Sequence, residues 1–70
     1  MTAKQVAERL GVREFVAVCA YFDARKQKFE ILSIERHSDH VLCTCRVIED
    51  ETIVPLRWEV KTNVIEFKAA

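Results

Sequence analysis

His40-Val41-Leu42-Cys43-Thr44-Cys45-Arg46-Val47-Ile48 alternates, with Val41, Cys43, Cys45 and Val47 on one parity and the more polar His40, Thr44 and Arg46 on the other. Successive side chains of a strand point to opposite faces, so this period of two predicts a strand with one dry face and one wet face. The next segment repeats the pattern: Val54, Leu56, Trp58 and Val60 fall on one side, and Ile53, Arg57, Glu59 and Lys61 on the other. Between the two lie Glu49, Asp50 and Glu51, a solvated hairpin loop. Lys61, Thr62 and Asn63 suit a tight turn, after which Ile65 and Phe67 are expected to face inward and Glu66 and Lys68 outward. Upstream, residues 28–36 are rich in strand formers, but Phe29 and Ile31 have one parity and Leu32 and Ile34 the other. That stretch is therefore either bulged or buried on both faces. His37, Ser38 and Asp39 then turn the chain into the segment quoted first.

The other end of the chain has a helical period. Ala3, Val6, Ala7 and Leu10 share one helix face. Thr2 with Gln5 three residues later forms a capping box, and Gly11 supplies a stop, which together predict a helix over residues 3–10. So short a helix does not hold alone in water, and its Val6 and Leu10 stripe must pack on something. Residues 12–26 stay open between two readings. Glu14 near the start, Ala17, Ala20 and Ala24 inside, and Arg25 and Lys26 near the end favour a helix. The aromatic and branched density of Phe15 to Phe22, with 23–27 as a loop, favours a strand. On either reading the segment is apolar all round and needs two covers, one of which can belong to another copy of the chain.

The expected fold is thus α+β, a short N-terminal helical element packed on an antiparallel β-meander of four to five strands, with residues 1–70 as a single small globular domain. Composition agrees. Half the residues are hydrophobic, and there is one glycine, Gly11, and one proline, Pro55, which argues against a disordered tail and excludes any glycine-rich phosphate loop. The 11 basic and 11 acidic residues balance, so no net field favours nucleic acid or an anionic membrane. Three cysteines are an odd number, and Cys43 and Cys45 lie two apart on one strand face, an awkward geometry for mutual bridging. Free, buried thiols suit a reducing compartment, and the expected localisation is cytoplasmic. The longest apolar run, Phe15 to Phe22, has eight residues, too few to span a bilayer, and no signal-peptide pattern precedes it.

Residues 5–12, Gln-Val-Ala-Glu-Arg-Leu-Gly-Val, look like the first helix and turn of a helix-turn-helix. In that family a second helix places polar and basic side chains in the major groove. Here residues 13–22 would have to do so, and only Arg13 and Glu14 among them are strongly polar. His37, His40, Cys43 and Cys45 concentrate potential metal ligands, but not at a zinc spacing, and the cysteines share a face with Val41 and Val47. No metal site, cofactor or catalytic residue is expected, because Cys19, Cys43 and Cys45 all lie on apolar stripes away from an electropositive setting. Arg25, Lys26 and Lys28 read as a solvated basic cluster.

These readings converge on a non-enzymatic protein-interaction module, expected to self-associate as a homodimer or to bind another protein, with nucleic acid disfavoured and no membrane contact. Phe15, Val18, Tyr21 and Trp58 are the candidate interface residues. The alternative is a small DNA-binding or phage- or plasmid-type accessory regulator that uses a helix-turn-helix-like start at residues 3–22. A small-molecule binder or enzyme with a half-barrel cavity is a third class.

Overall fold

The computed structural model describes residues 2–61 and 65–69. It is an α+β domain. Helix α1 (Ala3–Leu10) and helix α2 (Val12–Ala24) lead into strands β1 (Phe29–Arg36), β2 (His40–Val47) and β3 (Ile53–Glu59), followed by a two-residue β4 (Lys68–Ala69). The strands pair antiparallel in chain order. The helices cover one face of this sheet, giving two layers in a body 33 × 25 × 18 Å across.

The capping box forms as expected. The Gln5 backbone N–H donates to Thr2 Oγ1 at 3.2 Å and the Thr2 N–H to Gln5 Oε1 at 3.0 Å. The stripe of α1 buries Val6 and Leu10. Gly11 then serves both helices: its N–H donates to the Ala7 carbonyl, closing α1, and its carbonyl accepts from the Phe15 N–H, opening α2. Its φ of 104° lies where side-chain-bearing residues are strained, so a one-residue corner depends on glycine. Arg36 on β1 reaches across to donate to the Leu10 carbonyl at 3.0 Å and the Arg9 carbonyl at 3.3 Å. A cation thereby meets the negative end of α1 and ties it to the sheet.

Residues 12–24 are helix, which resolves the open segment. The stop comes from a Schellman arrangement in which Gln27 N–H donates to the Phe22 carbonyl and Lys26 N–H to the Asp23 carbonyl, with Lys26 at φ 55°. Arg25 is held inside this turn: it donates to the Tyr21 carbonyl at 2.9 Å and lies 3.6 Å over the centre of the Tyr21 ring.

The β1 parity change is a bulge. Ile31 pairs with Cys45 and Ser33 with Thr44, so Leu32 is the extra residue. Phe29 and Ile31 before the bulge and Ile34 after it therefore all turn toward the helices. Strand β2 is the centre of the sheet, with Val41, Cys43, Cys45 and Val47 buried and the intervening residues half-buried. On β3, Leu56 and Trp58 are buried beside it.

The expected four to five strands are more than the three full strands found among the described residues; β4 adds only the pairings Leu56 with Ala69 and Arg57 with Lys68. The expected turn at 61–63 falls partly outside the described residues. Ile65 and Phe67, expected within a strand, lie outside the ladder and pack on the core instead. The Phe67 ring meets Tyr21 edge-on at 5.4 Å and Trp58 at 5.3 Å, wedged between α2 and β3. Its apolar side chain is thus covered without the chain joining the sheet over its length. Val60, expected on the dry side, lies beyond the end of β3 and is exposed.

Candidate interaction surface

Helix α2 has two apolar sides with different fates. Val18 and Phe22 point at the sheet and are fully buried, flanked by half-buried Phe15 and Tyr21. The opposite side carries Val12, Arg13, Val16, Ala20, Asp23 and Ala24, all exposed. Val12 is 68% and Val16 60% accessible. At 100° per residue these six fill one contiguous arc of the helix, and four of them are apolar. A helix that packs on one layer ordinarily turns charged and polar side chains outward, so this arc departs from the expected pattern.

The four interface candidates read from the sequence are all engaged within the single chain. Val18 is fully buried and Trp58 nearly so, while Phe15 and Tyr21 lean on the same core. Phe22 stacks on Phe29 with ring centres 4.5 Å apart, and Tyr21 meets Phe22 edge-on at 5.1 Å. What a partner can reach on α2 is the side carrying Val12 and Val16. The signal for these two was present in the sequence as the all-round apolarity of the segment. It was not assignable to one side until the element was known to be a helix.

The thiols and imidazoles separate. Cys43 and Cys45 lie in the core with sulfurs 3.8 Å apart, and Cys19 is half-buried on α2. The hydrogen bond to Cys43, together with burial, pushes the Cys45 thiol up, which keeps it protonated. Burial, and then the nearby Asp23 carboxylate, push Cys19 up from its ordinary value. Both effects oppose nucleophilic use. His37 and His40 stack at 4.4 Å at the β1–β2 turn, and His40 Nδ1 contacts Asp39 Oδ1 at 2.6 Å. That hydrogen bond holds the Asp39 carboxyl below the usual range. No three His, Cys, Asp or Glu side chains among the described residues converge as metal ligands. Alkylation checks this placement: native protein is expected to take up at most one equivalent, at Cys19, and denatured protein three. Uptake of three by native protein would contradict a buried Cys43 and Cys45.

The acidic loop is built by local bonds. The Thr52 N–H donates to Asp50 Oδ1 at 3.0 Å, which holds the Asp50 carboxyl low, and the Lys28 N–H donates to Glu49 Oε1 at 3.2 Å. Shallow clefts lie beside the helices among the described residues. One of about 140 Å³ is lined by Arg13, Glu14, Arg36, Glu59 and apolar neighbours, and one of about 170 Å³ lies between Val6, Phe15 and the start of β1. Small-molecule sites occupy about 300–1,000 Å³, well above either.

The outer face of the sheet is polar and internally paired. Glu30 pairs with Arg46 across β1 and β2 at 2.5 Å, and Arg57 with Glu59 along β3 at 3.4 Å. Exposed apolar side chains of this layer include Ile53, the bulged Leu32, Ile48 just past β2 and Val60 just past β3. No helix among the described residues is long and apolar enough to cross a membrane. Of the outward side chains of α2 only Arg13 is basic, whereas a groove-reading helix requires several donors toward bases and phosphates. Comparison with known proteins finds no family model, no curated protein and no solved structure that matches the chain.

Proposed function

We propose that this domain is a non-enzymatic protein-interaction module that self-associates, with the outward side of α2 as its contact surface. The observation that carries the reading is the exposure of Val12, Val16, Ala20 and Ala24 on a helix whose other side is already covered by the sheet. Contiguous exposed apolar surface of this kind is where partners dock, whereas Leu32, Ile48, Ile53 and Val60 are exposed at separate positions in the sheet layer. The paired charges of the outer sheet face leave that side less suited to the role, since each would have to be desolvated on contact.

Sedimentation velocity as a function of concentration tests the reading. A weight-average mass that rises from one to two subunits is expected over the micromolar to millimolar range, roughly where interfaces below standard size bind. A mass that stays at one subunit throughout would overturn self-association.

A further inference from the structure

Arg13, Val16, Ala20 and Asp23 follow one another on α2 at intervals of three, four and three. That spacing lines up side chains along a single seam of a helix, as in the apolar positions of a heptad. All four are exposed; the Arg13 side chain is 65% accessible and only loosely paired, its Nε 3.7 Å from Glu14 Oε1. The seam is apolar in the middle, with a larger residue beside a smaller one, and carries opposite charges at its two ends. Its members are also symmetric about the level of Val18, with Arg13 as far before it as Asp23 is after, and Val16 as far before it as Ala20 is after.

We propose that this seam is one half of an isologous interface, docking antiparallel on the same seam of a second copy about a two-fold axis level with Val18. The proposal rests on the self-association reading and specifies its geometry. In this alignment Val16 of each copy meets Ala20 of the other, a large side chain against a small one, which lets the helices approach. At both ends Arg13 of one copy meets Asp23 of the other. A parallel pairing would instead set Arg13 against Arg13 and Asp23 against Asp23. Sliding the antiparallel pair by one turn would press a charge onto Val16 or Ala20 without a partner. The charges therefore select both direction and register, as polar positions do in helix pairs. Val12 and Ala24 flank the seam at its ends.

The contact is small. A helix of 13 residues is about 20 Å long, so the interface falls below the roughly 800 Å² per partner of standard complexes, and the dimer is weak and weakened further by salt.

Four proteins compared by sedimentation velocity test this: wild type, Val16→Asp, Arg13→Asp, and Arg13→Asp combined with Asp23→Arg. Circular dichroism confirms that each is folded. Neither exchange opposes the helix, since an acid near its start and a base near its end both suit the dipole. Val16→Asp is expected to weaken association at least about tenfold by placing a carboxylate in the apolar centre, and Arg13→Asp by several-fold through repulsion from Asp23 of the other copy. The double exchange restores complementary ends and is expected to return the affinity to within about threefold of wild type. A dimer that Val16→Asp leaves intact would overturn this interface while leaving self-association standing. Failure of the double exchange to recover what Arg13→Asp lost would overturn the antiparallel register. A wild type that stays monomeric would overturn both the interface and the reading beneath it.

Discussion

Phe22→Ala is expected to remove about 3–5 kcal/mol of stability, the cost of truncating a buried aromatic without collapse of the space it leaves. Phe22 is fully buried at the point where α2 meets the sheet. Its ring stacks on Phe29 of β1 at an interplanar angle of 13°, and touches Tyr21 edge-on. Tyr21 in turn meets Phe67, and Phe67 meets Trp58 of β3. One aromatic chain thus joins the helix layer, the first strand, the third strand and the segment before β4. Small domains have total stabilities toward the low end of about 5–15 kcal/mol, so this one truncation is of the same order as the whole. Phe22→Leu keeps most of the apolar volume and is expected to cost about 1.5 kcal/mol, well below the alanine variant. Chemical denaturation of the three proteins measures both numbers. A loss below about 1 kcal/mol for the alanine variant would show that α2 does not dock on the sheet through this residue.

The parts of this fold that were legible in the sequence are those whose signal is local. Thr2, Gln5 and Gly11 mark both ends of α1 because capping chemistry is confined to a few adjacent residues, and all three bonds form. The alternation in β2 survives because one face is buried and the other is not. The second helix was ambiguous for two separate reasons. Its stop is carried by Lys26 in a left-handed conformation, where glycine or asparagine would have announced it. Its outward side is apolar through Val12 and Val16, so the amphipathic period that separates helix from strand was blurred. Leu32 scrambled the parity of β1, and only pairing with β2 shows which residue is extra. The strand count was overestimated because Ile65 and Phe67 have strand-like alternation, yet a tertiary contact with Tyr21 and Trp58 uses the Phe67 ring outside the ladder. The proposed contact surface shares the ambiguity of α2. Large aromatics serve cores and interfaces alike, and within the single chain Trp58 is buried while Phe15 and Tyr21 are half-buried.

Gly11→Ala is expected to destabilise the domain by about 1–3 kcal/mol, the cost of forcing a side-chain-bearing residue into backbone space that glycine alone occupies comfortably. At φ 104° and ψ 146° Gly11 is outside both the helical and the ordinary extended regions. A Cβ added there would lie 2.5 Å from Glu14 Oε2, but that atom is the end of a flexible side chain and can swing away. The strain in φ cannot be relieved in the same way, because both backbone groups of Gly11 are committed, the N–H to Ala7 and the carbonyl to Phe15. Gly11→Ala combined with Glu14→Ala separates the two effects, and the double variant is expected to keep most of the loss. The consequence should be greatest in α1. Eight residues do not sustain a helix once the corner no longer presents Val6 and Leu10 to the core, so amide exchange should accelerate first across Val6 to Leu10. Helix α2 keeps its own hold through Val18 and Phe22, and its outward side should stay in place. Self-association is then expected to weaken only as far as the folded population falls, which makes this variant a control for a contact that belongs to α2 alone.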